Sequence, residues 1–214
     1  MATDDAGSLA AQSLAQGDPT GWFDRLYRAA ADGATLVPWD SDSANPILVD
    51  WSAGLPAAIG QRAMVVGCGL GRDAEHLAWL GYDTTAFDVA PTAIAGARAR
   101  YPDSIVDYRV ADLFALPDEW IARFDLVVES YTVQALPVAL HTRASAAVTS
   151  LVAPAGTLLV ISAVGASGVD VAGPPWPLTA AEIDRFAADG LEVRAREQVP
   201  GRSIAHWRVE FVRA

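Results

Sequence analysis

From about residue 60 to 163 the chain alternates short apolar runs with stretches whose apolar residues recur at helical spacing. Met64, Val65 and Val66 form a run of the kind expected for a strand buried on both faces of a parallel sheet. The segment from Asp73 to Gly81 reads as a helix with Ala74, Leu77, Ala78 and Leu80 on its buried side. Asp83 to Asp88 reads as the next strand. A helix follows from Pro91 to Tyr101, opened by proline and ending in Arg98 and Arg100. Strands are predicted at Ile105 to Val110, Phe124 to Glu129 and Thr157 to Ser162, with a helix from Pro137 to Val152 and a turn at Pro154-Ala155-Gly156. A helix from Thr179 to Ala188 precedes Glu192 to Val199 and Ile204 to Val212, which read as an antiparallel hairpin around Gly201, with Trp207, Val209 and Phe211 on one face. This rhythm predicts an α/β fold: a doubly wound, mostly parallel seven-stranded sheet, last strand antiparallel, with helices on both faces.

Candidate chemistry sits at the strand ends. The first strand runs into Gly67-Cys68-Gly69-Leu70-Gly71-Arg72, and Asp88 closes the second strand about twenty residues later. Glycines there let the chain turn sharply and let a ligand lie against bare backbone. A carboxylate at the carboxyl end of a strand in an open α/β sheet stands where such sheets bind ligands, and it can accept hydrogen bonds from both hydroxyls of a ribose. The dinucleotide fingerprint requires G-x-G-x-x-G/A. Arg72 occupies its last position, which disfavours a nicotinamide-dependent oxidoreductase and favours a smaller nucleoside-type cofactor. The plainer reading of Asp88 is a helix N-cap ahead of Pro91, and one side chain can serve both purposes.

On the motifs VVGCGLGRD, the acid of AFDVAPTAI, ADLFALP, FDLVVES and PAGTLLVIS, residues 63–163 resemble the core of class I S-adenosylmethionine-dependent methyltransferases. Within that superfamily the chain is most similar to the thiopurine, thiol and halide methyltransferase branch. The pointers are Trp22, Gly33 and Pro38-Trp39-Asp40, the APTAI after Asp88, and SYTVQALP after the fourth strand. The resemblance implies S-adenosyl-L-methionine as cofactor and a Rossmann-like fold. It places Gly67, Gly69 and Gly71 beside the methionyl and ribose groups, with Cys68 between them contributing backbone and small size. It places Asp88 on the ribose, Val89 on the adenine face, Asp112 at the adenine amino group, the Leu113 N–H at a ring nitrogen, and Glu129 near the methionyl ammonium. Glu129 also has a plain reading as a solvent-facing strand end.

Composition narrows the acceptor. The formal net charge is −11, and the arginines are scattered without a basic tract. A nucleic-acid methyltransferase needs a basic surface to neutralise phosphates. The N-P-P-Y type motif is also missing after the fourth strand, where Glu129-Ser130-Tyr131-Thr132 stands. A small-molecule substrate is expected, with no nucleic-acid or membrane partner, in a monomer or homodimer. The single cysteine excludes an intrachain disulfide framework and fits a reducing, cytoplasmic location. No 18-residue apolar run or basic leader is present. The expected organisation is a flexible tail over 1–18 and one methyltransferase domain over 19–214. Within that domain, cap helices occupy 19–55, the cofactor core 60–163 and a substrate-side loop or lid 164–178.

Acceptor contacts must come from outside the shared core. Trp22, Phe23, Leu26, Tyr27 and Ala30 share one helix face, a stripe that more often packs a core than binds a ligand. The resemblance implies that this segment walls the acceptor pocket, which makes Trp22 and Tyr27 substrate candidates. Trp39, in a loop between prolines and acids, is the cap residue best placed to touch the cofactor. Trp176, in the Gly- and Pro-rich loop 164–178, is either a substrate contact or a packing residue. Methyl transfer needs mainly alignment of nucleophile, methyl and sulfur. Thiols and halides need only placement, whereas a phenol or amine wants a base. Tyr131 and His141 are the catalytic candidates, with His76 read as solvated and His206 as structural. No His, Cys or carboxylate spacing fits a metal site. Methyl transfer to sulfur or halide is the leading function; a non-catalytic S-adenosylmethionine-binding sensor or partner protein is the alternative from another class.

Overall fold

The computed structural model describes residues 6–169 and 171–214. Seven strands form one sheet: β1 (Arg62–Val66), β2 (Asp83–Asp88), β3 (Asp107–Val110), β4 (Phe124–Ser130), β5 (Val152–Ala163), β6 (Leu191–Val199) and β7 (His206–Arg213), in the order β3-β2-β1-β4-β5-β7-β6. The pairs among β1 to β5 are parallel, and β7 runs antiparallel to both β5 and β6. The doubly wound sheet and its reversed strand are therefore as the periodicity predicts.

The side chains of each strand alternate between two apolar layers. Val65, Ala86, Val128 and Ile161 face one layer, with α3 (Pro46–Ser52), α4 (Arg72–Trp79) and α5 (Pro91–Arg100) packed on it through Leu48, Leu77 and Ile94. Val66, Phe87, Val127 and Val160 face the other, covered by Ala144 and Val148 of α6 (Val138–Ser150) and by Ile183 of α7 (Ala180–Ile183). Burial on both faces explains why the central strands read as unbroken apolar runs.

Several local readings are corrected. Residues 6–15, read as tail, form helix α1 (Ala6–Ala15), and its Leu9 and Ala10 pack against Trp22 and Leu26 of α2 (Gly21–Ala31); residues 1–5 lie outside the described residues. Two inward-facing small apolar residues suffice to dock α1, a signal too weak to see beside the polar run around it. Strand β3 starts at Asp107, because Ser104 Oγ accepts from Val106 N in a turn that leaves Ile105 exposed. Strand β5 starts at Val152 and carries Pro154-Ala155-Gly156 as a bulge, with Ala155 at φ 59°. Helix α7 holds only four residues and tightens to a 3-10 turn through Phe186. Its start is well specified: Thr179 and Glu182 form a reciprocal capping box.

Loop 164–178 is tied at both ends. Gly165 N donates to Leu178 O at 2.8 Å, and Trp176 N donates to Gln134 O at 2.7 Å. Asp170 lies outside the described residues. Among the described residues, no helix is long and apolar enough to cross a membrane.

Candidate active site

The glycine loop, β2 and β4 converge at one edge of the sheet. Asp88 is buried there. Its Oδ2 accepts from Gly69 N and its Oδ1 from Ala90 N, both at 2.9 Å. Asp88 is not the N-cap of α5, a position held by Ala90 without a side-chain cap; it instead fixes the chain just ahead of α5 and holds the glycine loop against β2. Burial pushes its carboxyl up to about 6, with the two backbone donors opposing.

The loop is less bare than its glycines imply. A Cβ on Gly69 would stand 2.8 Å from the Tyr27 hydroxyl, and one on Gly71 (φ 90°) would stand 2.3 Å from the Tyr108 hydroxyl. Trp39 Nε1 donates to the Tyr27 hydroxyl at 2.9 Å. Tyr27 and Trp39 therefore close over Gly69 as a bonded pair. Tyr27, expected to wall the acceptor pocket, is buried against the glycine loop and also lines the cavity between the cap and α5. Burial, reinforced by Asp88, raises its phenol well above the ordinary value. Trp39 is 42% exposed and meets Trp22 and Phe23 edge-on. Trp22 is 1% exposed in the α1–α2 core, so it supports Trp39 from behind and has no surface to offer a substrate. The cap also encloses a cavity of about 300 Å³ against α5, lined by Leu36, Val37, Leu70, Gly96 and the Asp40–Arg100 ion pair.

Burial and the nearby Asp88 raise the Cys68 thiol well above the ordinary value, which suppresses the thiolate. Val89 follows Asp88 half-buried, and Leu113 is buried after β3. Asp112 is exposed, with Oδ1 accepting from Phe114 N at 2.8 Å.

Glu129 corrects the solvent-facing alternative, for it is fully buried. Oε1 accepts from Val133 N at 2.8 Å, while Oε2 is buried without any hydrogen-bond partner. Burial raises the carboxyl to about 7. An isolated buried carboxylate oxygen is costly unless a cation or donor arrives. The residues present thus fit a ligand with ribose hydroxyls for Asp88 and a cationic group for Glu129.

Beyond β4 the chain turns sharply. Tyr131 has φ 62°, a left-handed conformation that bulky residues adopt only when held. Thr132 Oγ1 donates to Val66 O at 2.9 Å, tying this turn to the glycine loop. Asn45, which the sequence reading passed over, joins three elements. Its N donates to Asp73 Oδ1 at 2.7 Å, its Nδ2 to Ser130 Oγ at 3.0 Å, and its Oδ1 caps α3 through Ile47 N. The N-cap signature Asn45-Pro46 was the available clue, but its longer reach had none. Burial raises the Tyr131 phenol, with a contact from Asn45 opposing.

The histidines are redistributed. His141 is 1% exposed, with Nδ1 2.7 Å from Glu182 Oε1 and Nε2 2.8 Å from Leu136 O. Both nitrogens are committed beneath the rim, so His141 is a brace between α6 and α7 and leaves the catalytic set. His141→Leu is expected to cost about 2 kcal/mol in urea unfolding, from the partners left unpaired, while affinity for S-adenosylhomocysteine stays within about twofold by calorimetry. His76, read as solvated, is half-buried and bonds Ser52 Oγ at 2.8 Å. Trp176 stacks over Gly173, close to the Gln134 anchor. Among the described residues no carboxylate, His or Cys group could hold a metal ion.

A glycine loop on β1, a buried acid ending β2 and a 3-2-1-4-5-7-6 sheet together define the class I S-adenosylmethionine-dependent methyltransferase fold. The model of the thiopurine S-methyltransferase family matches residues 29–209, and the chain belongs to that family. Among curated relatives, a ubiquinone biosynthesis O-methyltransferase from Xanthomonas campestris pv. campestris is 35% identical over 131 residues. That stretch covers 57% of this chain and 54% of the relative, so the chain spans about half the length of the curated relatives it matches. Among solved structures, one described under conversion of a disulfide bond into a thioacetal group during echinomycin biosynthesis aligns with a TM-score of 0.72 and 25% identity, covering 91% of both chains. The N-methyltransferase NodS from Bradyrhizobium japonicum, in complex with S-adenosyl-L-homocysteine, aligns with a TM-score of 0.69 and 22% identity, covering 89% of this chain and 99% of NodS.

Proposed function

We propose that this protein transfers a methyl group from S-adenosylmethionine to a small cytoplasmic acceptor, with sulfur (thiol or thiopurine-like) or halide as the preferred acceptor. The observation that carries the reading is the buried Asp88 carboxylate, bonded to Gly69 N at the carboxyl edge of the sheet. Family membership supports the sulfur preference. The likeness to an O-methyltransferase keeps an oxygen acceptor as the second reading. The non-catalytic sensor is disfavoured, because the family and the curated relatives that the chain matches are methyltransferases.

Bound, the cofactor supplies an activated methyl group on a sulfonium. This chain's residues hold and align it. Asp88 receives the ribose hydroxyls while its backbone donors keep it oriented, and Glu129 Oε2 takes the ammonium of the methionyl tail. Val89 and Leu113 line the adenine, with Asp112 at the adenine amino group. Tyr27 and Trp39 close over the glycine loop and exclude water. Tyr131, held by the turn against Thr132 and the Asn45 clamp, offers its ring to the acceptor. Alignment of this kind supplies up to roughly 7–11 kcal/mol in favourable systems.

Calorimetric titration with S-adenosylmethionine, S-adenosylhomocysteine and NADH tests the reading. Micromolar binding of both sulfur nucleosides and none of NADH is expected, followed by methyl transfer in a screen of thiols, iodide and phenols. A folded protein that binds neither sulfur nucleoside would end this reading and the sensor alternative together.

A further inference from the structure

We propose that His206 is the base that accepts the proton of a protic acceptor, a thiol or phenol, seated against Tyr131 at the carboxyl edge of β4 and β5. The inference rests on the methyltransferase reading and adds a residue and an acceptor class to it.

Of the three histidines, two are committed. His141 binds Glu182 and Leu136 O, and His76 binds Ser52. Among the described residues, neither ring nitrogen of His206 has a hydrogen-bond partner, and its one ring contact is Tyr131, at 5.7 Å between centroids and 61° between planes. The sheet places the pair at the reactive edge: His206 opposes Ala163 at the end of β5, and Tyr131 N donates to Ile161 O on the same strand. The residue after Tyr131 is Thr132, which touches the glycine loop. A second observation is independent of the first: Tyr131 sits in the left-handed region, where a bulky residue is held only by its surroundings, and such strain concentrates at functional sites. A Cβ on Gly201 would stand 2.7 Å from His206 Nδ1 and 2.5 Å from Cε1, so the Nδ1 edge faces the β6–β7 turn. That orientation leaves Nε2 as the nitrogen for the acceptor.

In the step, the acceptor's X–H bond breaks and its proton goes to Nε2. The X lone pair forms the new bond to the methyl carbon, and the electrons of the broken C–S bond return to the donor sulfur. The imidazolium then releases its proton to solvent. Burial lowers the His206 pKa, which keeps the ring neutral and ready at pH 7. The groups around it leave this unchanged. Ala163 and Val199, opposite it on β5 and β6, carry no charge. Arg208, two residues along β7, is paired with Asp50 and Glu197. Asp73 and Glu129 act on Tyr131. A halide has no proton to lose, so the arrangement serves thiols and phenols and is superfluous for iodide.

The test uses full-length protein loaded with S-adenosylhomocysteine, with loading checked by calorimetry. Imidazole C–H signals are followed by NMR as catechol or 2-mercaptoethanol is added, with His206→Gln assigning the lines. The expected result is movement of the His206 signals and a changed titration midpoint, while His76 and His141 stay in place. In turnover, His206→Gln should keep its S-adenosylhomocysteine affinity and lose roughly 10²–10⁴-fold in kcat for catechol or thiol, with its pH profile flattened. Normal loading with silent His206 signals for both probes, or a variant as active as the parent, overturns the inference and leaves the methyltransferase reading intact. Failure to load overturns both.

Discussion

Asp88→Ala is expected to lower affinity for S-adenosylhomocysteine by roughly 10²–10⁴-fold, since two charge-assisted hydrogen bonds to the ribose are lost at about 1.5–3 kcal/mol each. The truncation also strands Gly69 N and Ala90 N, so the glycine loop loses its anchor to β2. Asp88→Asn separates the two effects. Its carboxamide oxygen can serve one of the backbone donors, but its NH₂ must face the other, where donor meets donor. It should therefore fold and still bind weakly. Calorimetry beside urea unfolding distinguishes the cases, and an Asp88→Ala protein that binds as the parent does would remove Asp88 from the site.

The second large effect is one of pH. Glu129 is raised to about 7 when its Oε2 has no partner. A ligand ammonium beside it favours the ionised form, so binding must release a proton below that value and tighten as pH rises. At pH 6 only about a tenth of Glu129 is ionised, and affinity should be about tenfold weaker than at pH 8. Asp88, raised to about 6, adds to the same trend at lower pH. Calorimetry in buffers of different ionisation enthalpy reads the proton directly. Glu129→Gln should abolish the dependence above pH 6.5 and weaken binding at pH 8. A parent affinity flat from pH 6 to 8 would contradict the pairing.

The same groups shape the stability of the ligand-free protein with the opposite sign. Both folded values lie above those of an unfolded chain, so the native state binds more protons than the unfolded state across the interval between them. Stability is then lost as pH rises from about 4 to about 7, by on the order of 3 kcal/mol per group. Asp40 and Glu182, both lowered, oppose this at the acid end. Adding S-adenosylhomocysteine should restore most of the loss at pH 7.5, measurable as a ligand-induced rise in Tm larger than the rise at pH 5.5.

The parts of the molecule that follow from nearest neighbours in sequence were legible. Strand β2 was read to the residue, because alternation and the flanking glycine and proline act locally. The glycine loop and its acid are about twenty residues apart, and the strand–helix rhythm fixes how they meet. What the sequence hid depends on distant segments. Trp22 and Tyr27 lie on one helix face, yet one is packed behind Trp39 and the other lies on Gly69, since a stripe does not say which element covers it. His141, a catalytic candidate by sequence, is a buried brace, and His206 is the histidine whose ring meets Tyr131. Glu182, which holds His141, and Tyr131, which faces His206, belong to other elements and are far away along the chain. The Asn45 clamp was invisible for the same reason, as its partner Ser130 is 85 residues away.

The position of β7 has a consequence for synthesis. The last strand of the chain lies between β5 and β6, not outside them. While the polypeptide is still emerging from the ribosome, β5 therefore has one bare edge and β6 has no partner at all. The two strands beyond β5 can join the sheet only once β7 has emerged. A message truncated just before codon 206 would leave the glycine loop, Asp88 and Glu129 encoded in full, yet it would yield a chain whose unpaired strands invite aggregation.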